Sequence, residues 1–153
     1  MAELSPGDKA PDFSLIGEDG KMHSLKDFKG KRIVLYFYPK DDTSGCTKEA
    51  CSFRDNLSAI KRKGAVVVGV SADGLDSHKK FIEKYDLNFT LLSDEERSML
   101  ESYDVWKLKT FMGRKYMGIE RSTFIIDERG AISHVFRKVK VDGHVQEVLD
   151  ALS

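Results

Sequence analysis

Cysteine is scarce in this chain: two among 153 residues, Cys46 and Cys51, with four residues between them. So few exclude a secreted disulfide scaffold, and a structural zinc site would need a second ligand pair. His23, His78, His134 and His144 show no ligand spacing with each other or with the cysteines, so neither a metal nor a cofactor is expected. An excess of one charge is also missing, since 25 Lys and Arg balance 25 Asp and Glu. That excludes the surplus positive charge on which sequence-independent nucleic-acid binding depends. The longest apolar run, Ile33 to Tyr38, falls far short of the ~20 residues of a membrane span, and Met1 to Lys9 holds no apolar stretch of a signal peptide. A soluble, cytoplasmic protein without membrane or nucleic-acid partners is expected.

What is present is a folding composition. With 41% hydrophobic and 33% charged residues the chain is neither disordered nor of low complexity. Its length suits one domain, residues 1–153, burying roughly 70% of the surface exposed when unfolded. No repeat or linker is visible, and strands alternate with helices. Arg32 to Tyr38 reads as a strand buried on both faces. From Cys46 to Lys63 the apolar positions Cys46, Ala50, Phe53, Leu57 and Ile60 predict one helix, closed by Gly64. Ala65 to Ser71 and Thr90 to Leu92 predict further strands. Asp76 is expected to cap a helix running to Tyr85 with Phe81, Ile82 and Tyr85 inward. Ser93 and Glu96 form the pattern of a capping box ahead of Met99, Leu100 and Tyr103. Thr123 to Ile126 and Ile132 to Phe136 predict a hairpin turning at Gly130, and Asp142 a cap for a last helix carrying Val145, Val148, Leu149 and Leu152. Asp12 to Leu15 and Met22 to Ser24 suggest an N-terminal β-hairpin. The order implies an α/β fold: a central mixed sheet flanked by helices, with right-handed crossovers between its parallel strands.

Cys46 falls in the first turn of its helix, just after a strand ends, where open α/β sheets place their sites. Unpaired N–H groups and the helix dipole favour an anion there. Helix N-termini and nearby cations bring cysteines into a range of about 3.5–7.5 from about 8.5. Gly45 leaves the backbone open to a small molecule. Asp41 and Asp42 oppose a thiolate, so a cation from elsewhere in the chain is expected. Position alone also allows an inert core cysteine, on one stripe with Ala50 and Phe53.

Pro39, Thr43 and Cys46 fill the motif Pro-x-x-x-Thr-x-x-Cys, which resembles the active-site motif of the peroxiredoxins. The longer string YFYPKDDTSGCTKEACSFRD is similar to the bacterioferritin comigratory protein, or Q-type, branch. The likeness extends to Gly7–Phe13, Gly69–Asp73, Trp106, Phe111–Gly113 and Gly118–Asp127, including Arg121 about 75 residues beyond the cysteine. Ser44 departs from the proline usual in that branch. The resemblance implies a thioredoxin-like fold and thiol-dependent reduction of hydrogen peroxide and organic hydroperoxides. It implies that Cys46 is the peroxidatic cysteine, that Arg121 is the missing cation and a donor to the peroxide, and that Thr43 orients the peroxide. Pro39 would shield the sulfenic acid, and Glu49 would hold Arg121.

Read singly, Arg121 is a solvated strand-edge charge, Thr43 and Ser44 are helix caps, and Pro39 is a turn residue. Cys51 occupies the resolving position of those Q-type members that carry it on the same helix. In an intact helix residues five apart have Cα atoms about 8.6 Å apart, whereas a disulfide needs roughly 4.4–6.8 Å. A Cys46–Cys51 bond therefore requires the helix to unwind, after which thioredoxin or a similar dithiol would reduce it. A monomer or weak dimer is expected. General dithiol exchange is the competing activity, although it favours two intervening residues. A binding module with incidental thiols has no positive signal. Arg137 to Lys140 looks like a strand's solvated face, and Phe111, Met112 and Met117 read as ordinary packing or as a substrate entrance.

Overall fold

The computed structural model describes residues 4–153. Seven strands form the main sheet: β1 (Ser14–Gly17), β2 (Met22–Ser24), β3 (Arg32–Phe37), β4 (Ala65–Ser71), β5 (Thr90–Ser93), β8 (Ser122–Ile126) and β9 (Ile132–Phe136), in the order β2-β1-β5-β4-β3-β8-β9. Pairs β3/β4 and β4/β5 are parallel, and the others antiparallel. Five helices accompany them among the described residues: α1 (Ser44–Asp55), α2 (Leu57–Arg62), α3 (Leu75–Tyr85), α4 (Ser98–Ser102) and α5 (His144–Leu152). A 3-10 turn covers Leu25–Phe28. The predicted N-terminal hairpin is present and joins the main sheet through β5.

Strand alternation divides the core in two. Val34, Tyr36 and Tyr38 point to the layer of α1, α2, α3 and α5. Ile33, Leu35 and Phe37 point to the opposite layer with Met99, Leu100, Tyr103 and Phe124. Tyr36 stacks on Phe53 of α1 with ring centroids 4.7 Å apart. A Cβ at Gly69 would stand 3.0 Å from the Tyr36 ring and 2.7 Å from Leu91, so only glycine fits beneath them.

Several local expectations change. The helix predicted through Lys63 breaks at Asn56, whose Nδ2 donates to the Ser52 carbonyl at 2.8 Å and competes with the backbone ladder. Asp76 is not the cap of α3, which starts after Gly74; Asp76 sits in its first turn, where the dipole favours an acid. Ser93 and Glu96 form no capping box. Ser93 closes β5 and donates to the Asp73 carbonyl, while Asp94 accepts from Leu100 N at 2.8 Å. Asp142 pairs with Lys48 instead of capping α5, which begins after Gly143 at φ 79°.

Arg137 to Lys140 lies beyond β9 and is no strand. Arg137 tucks inward, donating to Asp104 O at 2.8 Å and lying over Phe124. The two remaining strands, β6 (Trp106–Phe111) and β7 (Arg114–Ile119), form a separate hairpin that the periodicity did not predict. Its outer residues are exposed, so no inward-facing apolar stripe marked it.

Candidate active site

β3 delivers the chain to Tyr38, whose N–H still bonds Val70 O at 3.1 Å, and the backbone leaves the sheet at the exposed Pro39. Asp42 takes a left-handed φ of 58°, costly for a residue with a Cβ. Its carboxylate accepts from Lys84 Nζ at 2.8 Å and Tyr85 Oη at 2.7 Å, pinning the turn to α3. Asp41 turns inward. Its carboxylate accepts from Tyr38 Oη at 2.5 Å, Ser77 Oγ at 2.8 Å and His78 Nδ1 at 2.7 Å, while its N–H donates to Asp73 at 2.8 Å. His78 Nε2 faces Leu92 O at 2.9 Å, so both ring nitrogens meet acceptors and both carry protons. Burial opposes that charge, and Asp41 outweighs it, holding His78 above the usual histidine range. Both aspartates thus anchor the loop. Asp41, Asp73 and His78 lie close enough together to hold a cation, but His78 already pairs with Asp41, and Asp73 accepts from Asp41 N–H and Ser71 Oγ.

α1 opens with Thr43 as an extended N-cap and places Cys46 in its first turn, 1% exposed. The Thr43 hydroxyl donates to Lys40 O at 2.9 Å instead of capping the helix. Arg121, between β7 and β8, brings Nη2 to 3.3 Å from Cys46 Sγ and Nη1 to 2.6 Å from Glu49 Oε1. The isolated reading of Arg121 as a solvated edge charge is therefore wrong. Burial works against its charge, while Glu49 and Cys46 more than compensate and hold it up. Glu49 lies one turn below Cys46 and is 1% exposed; burial outweighs Arg121 and pushes its carboxyl up to about 7. Its other oxygen, Oε2, is buried without a hydrogen-bond partner. Cys51 is half-buried on α1, and both cysteines are free thiols.

Gly45 has a second role beside the one read from the sequence, and two contributors, Tyr36 and Lys109, escaped that reading. A Cβ at Gly45 would stand 3.3 Å from Arg121 Nη2, so the glycine makes room for the guanidinium as well as for a small molecule. Tyr36 buries an unpartnered hydroxyl, pushed well above the ordinary tyrosine range first by burial and then by the charges of Glu49 and Cys46. Lys109 on β6 is held below the ordinary lysine range by burial, then by Arg121. The alternation of β3 could have located Tyr36; nothing local marks Lys109. A groove of about 500 Å³ leads to Arg121 past Lys109, Tyr116 and Val139. A separate cleft, lined by Leu25, Phe28, Ile33 and Ile126, lies at the other end of β3 and β8, away from the cysteines.

A buried thiol at a helix start is thus met by a guanidinium on a sheet of the thioredoxin-like kind. Residues 6–135 match the model of the AhpC/TSA family, and the chain belongs to that family. It is 54% identical over 146 residues to "Peroxiredoxin Bcp" of Bacillus subtilis, covering 95% of this chain and 93% of that one. A cysteine-to-serine variant of PrxQ from Xylella fastidiosa superposes with a TM-score of 0.94 at 36% identity, covering 99% of this chain and 97% of that one. The bacterioferritin comigratory protein of Xanthomonas campestris gives a TM-score of 0.87 at 39% identity, covering 92% and 89%. Within its family the chain is a peroxiredoxin of the Bcp and PrxQ kind, and its activity is thiol-dependent peroxide reduction. Among the described residues no helix is long and apolar enough to cross a membrane.

Proposed function

We propose that residues 1–153 act as one peroxidase domain whose nucleophile is Cys46. The supporting observation is the 3.3 Å contact from Arg121 Nη2 to Cys46 Sγ in the first turn of α1. The thiolate attacks one peroxide oxygen, an S–O bond forms as the O–O bond breaks, and hydroxide or alkoxide leaves and takes up a proton. Arg121 donates to the peroxide as charge develops on its oxygens, an arrangement favoured by preorganisation. The Thr43 hydroxyl donates its hydrogen bond to Lys40 O, which leaves its oxygen to accept from the peroxide O–H. Glu49 positions Arg121, and Pro39 shields the sulfenic acid. Organic hydroperoxides are included as substrates because the Xanthomonas campestris relative is described through its alkyl peroxide reduction activity.

Cys51 then attacks the sulfenic sulfur, releasing water and forming a Cys46–Cys51 disulfide. Thioredoxin or a similar dithiol reduces it and is itself oxidised. Because α1 runs unbroken from Ser44 to Asp55, that bond needs the first turns to unwind. The working state is a cytoplasmic monomer or weak dimer. Intact mass after one equivalent of hydrogen peroxide, quenched within seconds, tests the reading. A loss of about 2 Da supports closure by Cys51, a gain of about 16 Da moves resolution to an outside thiol, and no change rejects Cys46 as the nucleophile.

A further inference from the structure

The β6–β7 hairpin concentrates features that peroxide chemistry does not require. Among the described residues, six large apolar side chains stand out as exposed, and five belong to this hairpin: Leu108, Phe111, Met112, Tyr116 and Met117. Met112 is 88% exposed, which removes ordinary packing as its role. The same segment, residues 106–119, contains Lys107, Lys109, Arg114 and Lys115 and no Asp or Glu, in a chain whose net charge is zero. Lys107 pairs with Asp104 at 2.9 Å, and the other three have no ion-pair partner among the described residues. A cationic, apolar projection of this kind is a surface awaiting a partner.

Register decides which side meets that partner. Lys109 lies opposite Tyr116 and Phe111 opposite Arg114, so these four share one face. Lys109 and Tyr116 also line the groove that ends on Arg121. Whatever docks on this face therefore reaches towards the catalytic thiol. A second copy of the chain would set Lys109 and Arg114 against the same two cations. A flat bilayer would cover the Phe111–Met112 tip and leave the Lys109–Tyr116 side of the groove empty. An acidic protein with a protruding dithiol satisfies both the charge and the shape.

We propose that the Lys109, Phe111, Arg114 and Tyr116 face is the docking surface for an acidic dithiol protein that reduces the oxidised enzyme. This rests on the reductant reading above. In the step served, a partner thiolate attacks the Cys46–Cys51 disulfide to give a mixed disulfide. The partner's second thiol then displaces it, leaving two reduced cysteines here and one disulfide in the partner.

The test uses two variants of the full chain, Arg114→Glu and Phe111→Ser. Each is oxidised with one equivalent of hydrogen peroxide and then mixed with reduced, acidic thioredoxin or with dithiothreitol. The expected result is a fall of roughly tenfold or more in the thioredoxin rate, as for removal of complementary charge or anchor side chains. The unmodified protein should also slow as salt rises, while its reactions with dithiothreitol and peroxide stay the same in both variants. An unchanged thioredoxin rate, or an equal loss with dithiothreitol, would overturn the surface. So would hairpin-dependent cosedimentation with phosphatidylglycerol vesicles alongside an unchanged thioredoxin rate. If the unmodified protein accepted electrons from dithiothreitol but from no acidic dithiol protein, the reductant reading would fail together with the surface.

Discussion

One guanidinium joins the thiol to a buried acid: Arg121 reaches Cys46 Sγ at 3.3 Å with Nη2 and Glu49 Oε1 at 2.6 Å with Nη1. A lysine ammonium is a point charge and cannot reproduce that planar fork. Arg121→Lys should therefore lose nearly as much as Arg121→Ala, a fall of about 10²–10³ in kcat/KM for hydrogen peroxide. Stopped-flow oxidation of the reduced enzyme measures it. A lysine variant within a few-fold of the parent would show that charge alone suffices.

Gly45 should reveal a conflict between helix stability and catalysis. Alanine in the first turns of α1 favours the helix by up to ~1 kcal/mol, yet its methyl group would crowd Arg121 Nη2. Gly45→Ala is expected to keep or raise the melting temperature while peroxide reactivity drops. Disulfide closure should also slow, because the added helix propensity resists unwinding. Thermal denaturation and rapid-quench mass measurements on the same preparation separate these effects.

Glu49 sets a pH signature. Its folded value of about 7 lies above the ordinary 4.5, so between those limits the unfolded chain releases the proton and the folded one keeps it. Stability should consequently decline as pH rises from 4.5 to 7 and show no further contribution from this group above that window. Glu49→Gln, which retains an amide oxygen for Arg121, should flatten that segment of the curve. Urea denaturation across the range is the measurement, and an identical slope in both proteins would count against Glu49 as the titrating group.

His78 acts in the neighbouring window. Its folded value is raised above 6.5, so its contribution is present below 6.5 and is lost as pH climbs through the folded value. His78→Ala also leaves Asp41 buried without its partner, a change of about 3–5 kcal/mol for broken buried pairs. The variant should be destabilised most at low pH and should lose the parent's decline above pH 6.5.

Cys51→Ser separates internal from external resolution. The expected outcome is slower turnover with thioredoxin, with the first oxidation of Cys46 preserved. In the unmodified protein, oxidation should remove amide-exchange protection between Thr47 and Phe53. Full protection in the disulfide form would contradict unwinding of α1.

The sequence by itself determined the strand β3, the inward stripe of Cys46, Ala50 and Phe53, the β8–β9 hairpin and the motif Pro39, Thr43 and Cys46. These are short-range patterns, fixed by residue period and turn chemistry, and they survive without knowledge of the rest of the chain. The caps expected at Ser93 and Asp142 failed because competing partners, Asp73 O and Lys48, come from other segments, and Asp76 failed because α3 starts earlier, after Gly74. The meeting of Arg121 with Cys46 across about 75 residues of sequence was legible only through the family resemblance, and tertiary structure alone decided that Asp41 is committed to His78 and that Glu49 is buried. It also decided that β6 and β7 project outward with their apolar residues uncovered. Desolvation and ion pairing depend on which groups the folded chain brings within a few ångströms, and no local periodicity encodes those distances.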